Sequence, residues 1–199
     1  MKESIDRKTI FSPAPILVVG TYNTDMQPNV MTAAIGGLVS GSPAAIGICL
    51  RKATLTYENI IRNKVFTVNI PSEDYVKEID YFGISSGRDN AKFIATGLTA
   101  IKGNYVDAPY VEEFPINLEC KLIQIVDLGF HTQFIGEIVD VKVNEEMLDE
   151  KEMPNIEKMR PILFSGSDRC YYGLGNNLGT GFSIGKEFKP NNEFKPNKA

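Results

Sequence analysis

Asn117-Leu-Glu-Cys-Lys-Leu-Ile-Gln-Ile-Val126 and Gln133-Phe-Ile-Gly-Glu-Ile-Val-Asp-Val-Lys-Val143 decide the fold, with Asp127-Leu-Gly-Phe-His131 between them. Both runs are rich in β-branched residues. In the first, Leu118, Cys120 and Leu122 alternate with charged or polar neighbours, the pattern of a strand buried on one face. The glycine-containing five-residue link predicts a hairpin joining two long antiparallel strands.

Working outward, Ile16-Leu-Val-Val-Gly-Thr-Tyr22 reads as a strand closed by turn formers at Asn23-Thr-Asp25. Ala44-Ala-Ile-Gly-Ile-Cys-Leu50 and Val65-Phe-Thr-Val-Asn-Ile70 are two further strands. Between them, residues 54–62 place Leu55, Ile60 and Ile61 at helical spacing, with a threonine available as cap and Glu58 in the early turns. Pro71 stops the preceding strand, and residues 72–81 predict a helix with Ser72 at its N-cap. Many short strands with two or three short helices point to a mainly β chain, a barrel with helical decoration. A parallel α/β sheet would need longer helices between its strands.

Residues 1–185 are expected to form one domain, and residues 186–199 a C-terminal tail. In the tail, Glu187-Phe-Lys-Pro-Asn191 is echoed by Glu193-Phe-Lys-Pro-Asn197, ordered only where something packs on Phe188 or Phe194.

The bulk properties narrow the function classes. At 199 residues, 43% hydrophobic and 23% charged, the chain is long enough and apolar enough to bury a core. A net charge of -4 and a pI near 5.2 give no basic footprint for nucleic acid or an anionic membrane. The start, Met1-Lys-Glu-Ser-Ile-Asp-Arg-Lys8, is too polar for a secretory signal, and no apolar run approaches the ~20 residues that span a bilayer. A cytoplasmic protein is expected. Cys49, Cys120 and Cys170 are widely spaced and read as small buried hydrophobes; with a single histidine, no metal site is expected.

No nucleophile elbow, Walker loop or Gly-x-Gly-x-x-Gly is present. Four polar clusters at strand ends remain. Arg51-Lys52-Ala53-Thr54-Leu55-Thr56 joins two cations, two hydroxyls and a helix start, the combination a phosphate monoester requires; a capped helix with a solvated basic pair is the plainer alternative. Arg88-Asp-Asn-Ala-Lys92 adds cations after the small-residue loop Gly83-Ile-Ser-Ser-Gly87. Gln27-Pro-Asn-Val-Met-Thr-Ala-Ala34 allows close approach of backbone and amide groups to a flat ligand. His131 sits at a hairpin, as a structural group or as a donor beside a ligand whose charge changes.

Taken in order, Pro13-Ala-Pro-Ile-Leu-Val-Val-Gly-Thr21, Asn29-Val-Met-Thr-Ala-Ala34, Val39-Ser-Gly-Ser-Pro43, Thr56-Tyr-Glu-Asn-Ile60 and Phe66-Thr-Val-Asn-Ile-Pro71 resemble the flavin reductase-like split-barrel family. Lys92-Phe93, residues 130–138, Pro161-Ile-Leu-Phe164 and Tyr171-Tyr172 continue the likeness, which runs from about residue 8 to residue 185. The resemblance implies a homodimeric split barrel binding FMN near the subunit interface. It implies that Asn29 and the backbone of Val30, Met31, Thr32, Ala33 and Ala34 meet the isoalloxazine. Arg51, Thr54, Thr56 and Lys92 would lie along the ribityl phosphate, with Lys52 beside them. His131 would act at the ring or its pyrimidine edge, and Phe164 would contact the ring region.

Two positions depart from the family pattern. Ile35 stands where many members carry Trp, and Gly129-Phe130-His131 replaces a frequent Gly-Asp-His. The implied activity is electron transfer through bound FMN, in one form as an NAD(P)H:flavin oxidoreductase. In the other form, a protein partner reduces the flavin and nicotinamide turnover is small. A flavin-free binding module is the non-redox alternative.

Overall fold

The computed structural model describes residue 2 and residues 13–189. In chain order the strands are β1 (Ala14–Pro15), β2 (Leu17–Tyr22), β3 (Pro28–Ala33), β4 (Gly36–Gly41), β5 (Ala44–Arg51) and β6 (Val65–Ile70). They continue as β7 (Ala100–Lys102), β8 (Pro109–Val111), β9 (Ile116–Asp127), β10 (His131–Val143), β11 (Leu163–Ser165) and β12 (Cys170–Tyr172). Four short helices accompany them: α1 (Leu55–Asn63), α2 (Val76–Ile84), α3 (Lys92–Thr96) and α4 (Ile156–Met159). The described chain is therefore mainly β with a few short helices.

Seven strands form one antiparallel sheet in the order β3-β2-β6-β9-β10-β5-β4. Its spine is the long hairpin, where β9 and β10 turn through Gly129 at φ +85, a left-handed conformation glycine adopts without cost. Inward side chains of β2, β3, β5, β6, β9 and β10 meet in one cluster that includes Leu17, Ile48, Phe66, Cys120 and Phe134. Strands from both halves of the sheet share that interior, so the sheet curls around it. Each such side chain contributes about 1.5–3 kcal/mol on burial.

β2 is buried on both faces. Leu17 and Val19 enter the first cluster, while Ile16 and Val18 enter a second, with Phe82, Phe93, Phe114 and Ile162 beneath α2 and α3. Its continuous apolar run is the signature of that double burial. Gly20 lies where β2 passes closest to β8: a Cβ there would overlap the Pro109 carbonyl and Thr67 Oγ1. Backbone cannot yield cheaply, so Gly20→Ala is expected to cost about 3 kcal/mol or more, read as a fall in the thermal midpoint with flavin absent. An unchanged midpoint would show that β8 moves freely.

Three expectations are revised. Residues 72–81 are not one capped helix: a 3-10 turn at Glu73–Tyr75 precedes α2, and Ser72 makes no cap bond. Ser72 instead bridges to Pro161, and Glu73 N bonds the Arg160 carbonyl, so tertiary pairing takes the place of the cap. Of the three cysteines only Cys120 is buried; Cys49 is half-buried and Cys170 exposed. In β9 the polar positions do not all face water. Glu119 is completely buried and accepts from the backbone N–H groups of Asn104 (2.9 Å), Tyr105 (2.7 Å) and Val106 (2.9 Å), with Lys142 Nζ at 2.8 Å. Of the expected tail, residues 190–199, including Phe194, lie outside the described residues. Phe188 is exposed.

Candidate functional site

A cleft of about 450 Å³ opens where β3, the end of β5, the start of β10, the N-terminus of α1 and the α2–α3 connection (residues 85–91) converge. Antiparallel pairing places His131 opposite Arg51, so these two residues share one rim.

Thr54 caps α1. Its backbone is extended (φ -84, ψ 145), its Oγ1 accepts from Tyr57 N at 3.3 Å, and the hydroxyl donates to the Arg51 carbonyl at 2.9 Å. The helix thus starts at the cleft wall. Its first amides have no carbonyl within the helix to bond, which suits an anion. Thr56, the second residue of α1, is buried and accepts from Asn29 Nδ2 at 3.0 Å, so β3 and α1 are stitched together at the cleft floor.

Lys92 closes the floor from α3. It is 2% exposed, and Nζ donates to the carbonyls of Val30 (2.9 Å) and Phe82 (2.7 Å). Burial pushes its ammonium down to about 8. No carboxylate lines the cleft: its titratable side chains are Arg51, Lys92, His131 and the Cys49 thiol. Nearby acids are occupied elsewhere, Glu58 with Arg88 at 2.6 Å and Asp127 with Lys52 at 2.7 Å. The Ser85 hydroxyl, on the α2–α3 connection, is buried without a hydrogen-bond partner and also lines the cleft. A buried cation with no counter-charge, an orphaned hydroxyl and a helix start suit one end to an anion.

The other end is apolar, with Met31, Ala33, Ala34, Ile35 and Leu50 beside the Cys49 thiol. Desolvation raises that thiol, leaving it protonated and poorly nucleophilic.

The structure brings Asn29, Met31, Thr32, Ala33, Ala34, Arg51, Thr54, Thr56, Lys92 and His131 to this one cleft. Val30 contributes only its carbonyl, its side chain being sunk in the second core cluster. Lys52 turns away to Asp127, pinning the β9–β10 hairpin. Phe164 lies on β11, packed against Tyr171 at 5.3 Å between ring centroids, and does not line the cleft. Sequence reasoning missed Cys49, Ser85, Ser86 and Gly87 as wall residues, while Ile35, marked in the sequence as a departure from the family pattern, does line the cleft. The Ser-Ser-Gly run ahead of the second cation cluster was the available signal.

One cleft on the antiparallel sheet thus joins an end lined by a buried cation, an orphaned hydroxyl and a helix start to an apolar end. The chain belongs to the flavin reductase-like family, whose sequence profile, described as Flavin reductase like domain, matches residues 11–173. Among solved structures it is similar to flavoredoxin of Desulfovibrio vulgaris (Miyazaki F), at 46% identity and TM-score 0.89, over 93% of this chain and 100% of that one. It is also similar to flavoredoxin from Methanosarcina acetivorans, at 29% identity and TM-score 0.87, over 94% and 98%. An uncharacterised protein of Aquifex aeolicus is 30% identical over 155 residues, 75% of this chain and 79% of that protein. Among the described residues no helix is long and apolar enough to cross a membrane, and no group of acidic, histidine or cysteine side chains could hold a metal.

Proposed function

We propose that the chain is a cytoplasmic FMN-dependent oxidoreductase of NAD(P)H:flavin oxidoreductase type, working as a split-barrel homodimer. The observation that carries this reading is the buried Lys92 ammonium, held by two carbonyls in a cleft that contains no carboxylate. In this reading Lys92, the Ser85 hydroxyl, Thr54, Thr56 and the first amides of α1 hold the phosphate, and Arg51 screens its outer face. Asn29 and the β3 backbone through Ala34 border the ring. FMN supplies two-electron chemistry when bound. His131, at the rim and paired across the sheet with Arg51, is positioned to donate to a ring edge that gains negative charge. Exposed Leu38 and Val39 on edge strand β4, next to Ile35 of the cleft, support a second subunit there.

A second reading, an electron carrier reduced by a protein partner, is favoured by the 46% identity to a flavoredoxin over nearly the whole chain. Purified protein separates these readings. A yellow preparation with absorbance near ~450 nm, releasing FMN on denaturation, is expected. Under anaerobic conditions, rapid bleaching by NADH or NADPH supports the oxidoreductase, and an unchanged spectrum supports the carrier. A colourless protein that takes up no added FMN would overturn both.

A further inference from the structure

The anion end of the cleft is walled on one side by the start of α1 and on the other by the α2–α3 connection, which contributes Ser85, Ser86 and Gly87. None of residues 85–91 is buried as a whole, so no core side chain anchors this wall. It is nevertheless a compact unit. The Ser86 carbonyl accepts from Asp89 N (3.2 Å), Asn90 N (3.1 Å) and Asn90 Nδ2 (3.4 Å), and Ser86 Oγ accepts from Arg88 N (3.2 Å). A segment folded on itself and lightly anchored opens at a lower free energy than the strands beside it.

Little ties this unit to the opposite wall. Gly87 packs against Asn29 and Leu55, so closely that a Cβ would overlap the Asn29 side-chain oxygen. Among the described residues, the one hydrogen bond from residues 85–91 to an element other than α2 and α3 runs from Arg88 Nη2 to Glu58 Oε1, at 2.6 Å. Glu58 lies in the first turn of α1, the helix whose start faces the anion end. Arg88 therefore holds the connection to α1 and also covers a carboxylate that would repel an anion at that helix start. With side chains 44% and 49% exposed, the pair adds little to global stability, which suits a contact that breaks and re-forms.

We propose that this ion pair is a latch: by holding residues 85–91 against α1, Arg88 and Glu58 position the Ser85 hydroxyl for the anion and set how fast the cofactor leaves. They are positioning residues, since neither lines the cleft itself. The inference rests on the flavin reading for the identity of that cofactor, whereas the latch is a property of the empty chain as well.

Glu58→Gln, Arg88→Gln and the double variant test the latch. FMN-loaded proteins are diluted and release is followed by flavin fluorescence, and flavin-free proteins are compared by amide hydrogen exchange. Each single change is expected to speed release about threefold, the scale of an exposed pair, and the double variant to release no faster than either single one. In the flavin-free proteins, exchange over residues 85–91 should rise by a similar factor while β6 stays unchanged. Should Glu58→Gln slow release while Arg88→Gln speeds it, the pair acts on the anion through net charge and the latch is overturned. Release rates equal to the parent's, or a double variant about ninefold faster, overturn it equally. If the parent holds no FMN, the flavin reading fails on its own and hydrogen exchange decides the latch, which unchanged exchange over residues 85–91 refutes.

Discussion

Lys92→Met is expected to weaken FMN binding at least 100-fold, measured by equilibrium dialysis against the parent protein. The ammonium is the one cation on the cleft floor and is nearly excluded from water. A hydrogen bond to a charged group contributes about 1.5–3 kcal/mol, and the low dielectric at a buried site adds Coulomb attraction to it. The upper end of that range already corresponds to about two decades in affinity. The same residue sets a pH dependence. In the empty site its ammonium titrates at about 8, whereas a bound dianion favours the charged form and moves the titration upward. Binding therefore takes up a proton above pH 8, and affinity falls by up to tenfold per pH unit from there until the bound form also titrates. The Met variant should show no such slope. A parent whose affinity is flat from pH 7 to 10 would remove Lys92 from the phosphate.

Glu119→Ala is expected to cost about 3–5 kcal/mol of folding stability, the range for removing one partner of a buried ion pair. The truncation removes the acceptor of three backbone N–H groups, those of Asn104, Tyr105 and Val106, and one of the two carboxylate partners of Lys142, which keeps Asp140. Burial by itself would raise the Glu119 carboxyl, but the Lys142 ammonium and the three amides outweigh it and hold it below the usual carboxylate range. A depressed folded value means the stabilisation is full above the unfolded carboxyl value of ~4.3 and is lost as pH falls through the folded one. Urea unfolding at pH 7 should show the whole difference between parent and variant, and the gap should narrow below about pH 4. A variant as stable as the parent at pH 7 would make the loop at residues 103–106 independent of β9.

What the sequence made legible follows from how local each signal is. Val65–Ile70 and the start of α1 were readable because β-branched runs, a capping threonine and flanking turn residues act within a few positions. The long β9–β10 hairpin was readable for the same reason. Glu119 was not, since a carboxylate in an alternating strand looks solvent-facing until a loop some 14 residues earlier brings three amides to it. Ser72 was misread because its partner, Pro161, lies far along the chain. At the site, the cations could be listed but not aimed: Lys52 and Lys92 look alike in sequence, yet one faces Asp127 at the surface and the other sits under β3. Ser85 escaped notice because an unsatisfied hydroxyl is defined only by what surrounds it in three dimensions.

The burial of the Lys92 ammonium also sets how long an empty copy of the chain endures. Holding that ammonium near 8 rather than 10.5 disfavours it by about 3 kcal/mol at neutral pH, a debt the fold carries whenever no anion is present. A ligand that neutralises the charge lifts this burden and adds its own mass-action stabilisation. Newly made protein without cofactor is thus the form most exposed to unfolding and proteolysis, so the abundance of the chain in a cell would track its supply of flavin.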